Sequence, residues 1–235
     1  MANRIRTLSQ YTFQNQREGV GLFLGDRLPV ATNDLQLAAF TLNGKIRDVH
    51  RFSRRDAALI EPANGGLPKL FIATAHDRKL TRTIFKHVFE NQLGISLENA
   101  VFDVDHVLPQ VAGLGTFVYT LVNPENQAVN RSFGGGLDKS SKASRRFEDP
   151  VMEKASITEF VKMQGLAPML PGNLARDCLI AVLNARESGI LSRAQASRMW
   201  NTIKHSNNNL VRDAFENEPD LEAEAKRLEL IPGDK

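Results

Sequence analysis

Apolar and polar residues follow different rhythms in different stretches of the chain. Up to about residue 75, short apolar runs at Val20 to Leu24, Leu35 to Leu42 and Leu70 to Ala75 are broken by Gly25-Asp26, Asn43-Gly44 and Asn64-Gly65-Gly66. That punctuation predicts a mixture of short strands and turns, in which helix and strand are not separable by periodicity alone. Between Asp77 and Leu93, the apolar residues Leu80, Ile84, Phe85, Val88, Phe89 and Leu93 return at helical spacing, and Gly94 supplies a stop. This helix turns one face to the core and exposes Arg78, Arg82 and Lys86 at intervals of four on the other.

The rhythm then becomes that of strands. Ala100 to Val107 alternates, with Val101, Asp103, Asp105 and Val107 on one side and Phe102, Val104 and His106 on the other. Asp105 and His106 therefore begin on opposite faces, and they can address one site only if the strand ends or twists there. Leu108-Pro109 with Gly113 and Gly115 predicts such an ending. Thr116 to Val122 is a second β-rich run. Asn123-Pro124-Glu125 then reads as the start of a short helix, with Asn as cap and Pro at the first helical position. That helix carries Asn126 and Asn130 on one side and stops at Gly134-Gly135-Gly136. Ser140 to Pro150 is polar and basic, as an exposed loop would be. Helical patterns return at Ile157 to Met163, Leu174 to Arg186, Ser192 to about Ile203 and Leu221 to Leu230.

These elements predict an α+β protein in three regions. Residues 1–98 form a mixed N-terminal part ending in the basic helix, 99–150 a strand-loop-strand-helix core, and 151–235 a helical part with an acidic tail. With 235 residues, 42% of them hydrophobic, the chain can bury a substantial core. No stretch approaches the roughly 20 apolar residues of a membrane span, and the polar opening residues predict a soluble, cytoplasmic protein with no membrane partner. The lone cysteine, Cys178, lies in an apolar helical run and reads as a small buried hydrophobe, as Trp200 reads as core. Without any Cys-x-x-Cys pair, a zinc knuckle is excluded.

The net charge of +3 hides an asymmetry, because Asn207 to Lys235 holds four Lys/Arg against eight Asp/Glu and leaves +7 on the rest. Basic residues gather at Arg51, Arg54 and Arg55, at Arg78, Lys79, Arg82 and Lys86, and at Lys139, Lys142, Arg145 and Arg146. Clusters of this kind suit a phosphate backbone.

The candidate chemistry lies in Val104-Asp105-His106-Val107-Leu108-Pro109-Gln110 and in Asn130-Arg131-Ser132, which begins 24 positions after the histidine. A histidine at a strand end, a carboxylate beside it and a carboxamide from a following helix are what phosphodiester hydrolysis with one hard cation requires. Over about residues 100 to 147, these residues resemble the HNH, or ββα-metal, nuclease family, especially the HNH domains of RNA-guided CRISPR nucleases and of modification-dependent restriction enzymes. The resemblance implies a ββα-metal core in which His106 is the general base and Asp105 and Asn130 hold Mg²⁺ or Mn²⁺. Asn126 is a rival or second ligand and Asp103 a further oxygen donor. The family's middle asparagine has no clean match, Asn123 and Asn126 being nearest. Arg82, Arg131, Lys139, Lys142, Arg145 and Arg146 would contact phosphates.

The function so implied is a divalent-metal-dependent endonuclease that hydrolyses DNA, in defence, restriction or mobile-element processing, with target choice supplied by a protein partner or by the flanking regions. A nucleic-acid-binding or scaffolding protein with a degenerate nuclease fold is the alternative. An RNA-cleaving toxin is the third.

Overall fold

A computed structural model describes residues 5–98, 100–108, 116–127, 151–155, 157–163, 174–205 and 220–228. It is an α+β protein. Helix α1 (Leu8–Leu24) leads to strand β1 (Pro29–Thr32), helix α2 (Leu35–Thr41) and strands β2 (Gly44–Asp48), β3 (Ala57–Pro62) and β4 (Lys69–Ala73). Helix α3 (Arg78–His87) continues into a π-helical turn, Val88–Gln92. Strands β5 (Asp103–His106), β6 (Tyr119–Glu125) and β7 (Met152–Lys154) follow, and then helices α4 (Ile157–Met163), α5 (Leu174–Glu187), α6 (Arg193–Lys204) and α7 (Asp220–Arg227).

The seven strands form one antiparallel sheet in the order β2-β3-β4-β6-β1-β7, with β5 attached to β6. This sheet takes strands from all three regions distinguished in the sequence. Strand β6 organises it. Along one edge β6 pairs with β4; along the other, Tyr119 and Thr120 pair with β1, while Val122 to Glu125 pair with β5. Strands β1 and β5 therefore lie end to end against the same edge.

The helix expected at Asn123-Pro124-Glu125 is instead the end of β6, in register with Asp105, Val104 and Asp103. A cap asparagine followed by proline is also compatible with a strand when the missing N–H faces an unpaired edge. That is the situation here. The Val107 amide donates to the Leu121 carbonyl at 2.9 Å, and the alternation of an antiparallel ladder then puts Pro124 in a non-hydrogen-bonded pair with Val104. Its nitrogen points away from β5, beyond the Leu70–Val122 pair where β4 stops following β6.

Among the N-terminal apolar runs, Val20 to Leu24 is the end of α1, Leu35 to Leu42 is α2 and its cap, and Leu70 to Ala75 covers all of β4 but Lys69. Helix α3 begins where Asp77 accepts from the Leu80 amide at 2.7 Å, and the turn closes near Gly94, whose φ of +66° favours glycine. The sheet is packed on both faces. Phe71, Leu121, Val107 and Leu108 join one buried cluster with α2, while Leu70, Ile72 and Val122 join another with Ile84, Phe85, Val88 and Phe89. A third cluster holds the C-terminal helices around Trp200 and Cys178, both fully buried, and Val20 of α1 and Phe160 of α4 tie it to the rest. Among the described residues, no helix is long and apolar enough to cross a membrane.

Candidate functional site

The site follows from the alternation of β5 against β6. Asp103 and Asp105 share a face with Asn123 and Glu125, and Val104 and His106 share the opposite face with Val122 and Pro124. On the first face α4 supplies a buried lysine. Lys162 Nζ lies 2.6 Å from Asp105 Oδ2, with only 4% of the lysine side chain and 16% of the aspartate side chain exposed. Glu125, on the same face, is buried. Burial pushes its pKa up to about 8, with the charge of Asp105 adding to the rise, while the Asn126 amide and Lys162 oppose it. The Asn126 N–H donates to Glu125 Oε1 at 3.1 Å.

His106 closes β5 on the side where α3 packs. Its Nε2 is buried and has no hydrogen-bond partner among the described residues. Desolvation first, and then the charges of Lys162 and Arg78, together lower the imidazole pKa to about 4. The ring is therefore neutral at pH 7 and able to accept a proton. Alternation does separate Asp105 from His106, as the sequence predicts. The ammonium of Lys162 nevertheless acts on both, so carboxylate, imidazole and ammonium form one electrostatic unit.

Behind this unit a buried polar chain reaches α1. Lys69 of β4 is buried and donates to Asn15 Oδ1 at 2.6 Å, with Glu18 Oε2 at 3.5 Å. Asn15 Nδ2 in turn donates to Asn123 Oδ1 at 3.5 Å. Burial lowers the pKa of Lys69, while Glu18 opposes the change. Asn123 is 4% exposed and pairs with Asp105 across the ladder. Of the two nearest candidates for the middle asparagine, Asn123 is thus the one inside the hairpin, whereas Asn126 is exposed just past its end.

Asn130, Arg131, Lys139, Lys142, Arg145 and Arg146 lie outside the described residues, and Arg82 is exposed on α3. Asp103 accepts from Gln127 Nε2 at 3.3 Å, which fastens the segment after β6 to the start of β5. Among the described residues, no group of three or more His, Cys, Asp or Glu side chains is arranged to hold a metal. Asp105, a metal ligand expected from the sequence, is ion-paired with the Lys162 ammonium instead. His87 is half-buried, with Phe52 at 5.6 Å between ring centroids.

Lys162, Glu125, Lys69 and Asn15 went unnoticed in the sequence. A weak signal existed for two of them, since Lys162 sits between Phe160 and Met163 in a short helix and Asn15 continues the buried Leu8-Tyr11 stripe of α1. No family model, curated protein or solved structure matches the chain.

Proposed function

We propose that the protein is a divalent-metal-dependent endonuclease of the HNH type that hydrolyses DNA. The observation that carries this reading is the β5–β6 hairpin, with a neutral, buried imidazole at its strand end and a cation-bearing carboxylate next to it. His106 accepts the proton of the attacking water through its unpartnered Nε2. Arriving phosphate offsets the positive charges of Lys162 and Arg78, and this raises the basicity of the ring towards its ordinary value. Asp105, with Asn130 or Asn126, would hold Mg²⁺ or Mn²⁺, whose chemistry is to polarise the phosphate and stabilise the leaving oxygen. Asn123, fixed through Asn15 and Lys69, holds the second strand of the hairpin in place. Arg82 contacts phosphate from α3, with Arg131, Lys139, Lys142, Arg145 and Arg146 as further basic contacts, and a protein partner supplies target choice in a defence or restriction setting.

The experiment is incubation of supercoiled plasmid with the protein in Mg²⁺, in Mn²⁺ and in EDTA, with Asp105→Ala alongside. Cutting by the wild type that needs metal and is lost in the variant supports the reading; cutting in EDTA contradicts it.

One observation favours a second reading, a nucleic-acid-binding protein without turnover. The Lys162–Asp105 ion pair puts an ammonium where the metal would be. A binder retains DNA in EDTA and leaves it whole when Mg²⁺ returns.

A further inference from the structure

Helix α3 carries a one-sided run of positive charge, in which Lys86 alone sits at the dipole end that favours a cation. Its ten residues carry Arg78, Lys79, Arg82 and Lys86 and no Asp or Glu. Arg78, Arg82 and Lys86 are like charges at i,i+4 spacing, each pair costing roughly 0.2–0.5 kcal/mol. Arg78 and Lys79 also occupy the first turn, at the positive end of the helix dipole. All four are exposed, none has a carboxylate within ion-pair distance among the described residues, and at 3.6 residues per turn they fall within an arc of about 100°. A helix with this much like charge on one arc gains from a polyanion outside it.

The loop between β2 and β3 packs beside this helix. It runs back along α3, with Asp56 Oδ1 3.2 Å from His76 Nε2 just ahead of the helix, though not aligned as a hydrogen bond. Phe52 stands edge-on to His87 at the far end, and the His50 amide donates to Gln92 Oε1 at 3.2 Å. Arg51 and Arg55 are exposed on this loop, and Arg51 holds a φ of +67°, a left-handed conformation that costs a residue with a side chain about 1–2 kcal/mol. Arg54 is neutralised by Asp48 at 2.6 Å. Arg51 and Arg55 therefore lie on a loop that packs beside α3. Helix α3 also packs against β5, the strand that ends in His106.

We propose that Arg51, Arg55, Arg78, Lys79, Arg82 and Lys86 form the face on which double-stranded DNA docks by its phosphate backbone, without metal and leading to His106. The proposal rests on the nuclease reading for its direction towards His106, but binding to this face does not depend on turnover. A flat row of cations with one partly exposed leucine, Leu80, matches a polyphosphate backbone better than a lipid surface, which would also take up exposed apolar side chains.

The test is fluorescence anisotropy with a labelled duplex in EDTA, from 50 to 200 mM KCl, using the full chain. Wild type should bind with an affinity that falls steeply with salt. Arg82→Glu with Lys86→Glu should weaken binding at least about 10-fold and lower the salt slope by about 2, as the loss of two phosphate contacts requires. Arg82→Ala with Lys86→Ala, which asks less of the helix, should show the same trend, and Arg198→Glu, an exposed charge on α6, should show little change. Equal binding by the double variants and wild type overturns the proposal. So does wild-type binding to phosphatidylserine vesicles, lost in the double variants, with no binding to duplex. Binding that behaves as expected in a protein that never cuts DNA upholds this face while removing the nuclease reading.

Discussion

Lys162 and Asp105 come from elements joined only through the tertiary fold, α4 and β5, and they meet at 2.6 Å in a site almost closed to water. An ion pair this buried gains little over a well-packed apolar pair, but losing one partner alone is expensive, about 3–5 kcal/mol. The two single variants should therefore differ. Asp105→Ala leaves a buried ammonium without that carboxylate and should cost about 3 kcal/mol, the lower end of that range. Lys162→Met keeps the stem volume and leaves the more exposed partner, so it should cost clearly less. Urea unfolding followed by the fluorescence of Trp200, the single tryptophan, measures both. Equal losses, or a larger loss in Lys162→Met, would contradict the greater cost assigned to the stranded ammonium.

The same pair makes a prediction about metal. If the ammonium competes for Asp105, Lys162→Met should bind Mn²⁺ more tightly than wild type, and Asp105→Ala more weakly. Electron paramagnetic resonance of free Mn²⁺ reads this without any cleavage. Unchanged affinity in both variants would remove Asp105 from the list of ligands.

Two buried groups give the stability a pH dependence with opposite signs. Glu125 has a folded pKa of about 8 against an ordinary 4.5, so the folded protein holds a proton that the unfolded chain releases, and stability falls as pH rises between those values. His106 has a folded pKa of about 4 against 6.5, so the unfolded chain takes up the extra proton, and stability falls as pH drops from 6.5 to 4. The two effects oppose each other from 4.5 to 6.5, and only Glu125 acts above that. Denaturant midpoints should decline from pH 6.5 to 8 in the wild type, and Glu125→Gln should flatten that limb. A decline that persists unchanged in Glu125→Gln would assign it to other groups.

Asn15 is predicted to matter more than a polar helix residue ordinarily does. Lys69 is buried and depends on the 2.6 Å bond to Asn15, with Glu18 a longer 3.5 Å away. Asn15→Ala should destabilise by about 1–3 kcal/mol, the cost of a buried donor deprived of its acceptor. Exposed Arg17 on the same helix should tolerate alanine within about 0.5 kcal/mol. Thermal unfolding of the two variants separates these outcomes, and equal shifts would refute the network.

Elements with a long, regular rhythm could be read from the sequence. The α3 pattern of Ile84, Phe85, Val88 and Phe89 and the alternation of Phe102, Val104 and His106 each describe one element with one buried face. Asn123-Pro124 misled because the local preference for capping a helix and the tolerance of proline at an unpaired strand edge leave the same two letters in the chain. Only the position of β4 decides between them, and that is a tertiary fact. The same holds for the site. Asp105 and His106 are neighbours and stand out together, but Lys162, Glu125, Lys69 and Asn15 acquire their roles from partners 37 or more positions away, or, for Glu125, from the ladder to Asp103.

His106 is the residue on which the account turns. Plasmid cleavage in Mg²⁺ or Mn²⁺, comparing wild type with His106→Ala, tests it most directly. The account predicts metal-dependent cutting by the wild type and a rate at least about 100-fold lower in the variant, the contribution expected of a general base. Equal cutting by the two proteins, or none by the wild type with either metal, would contradict it.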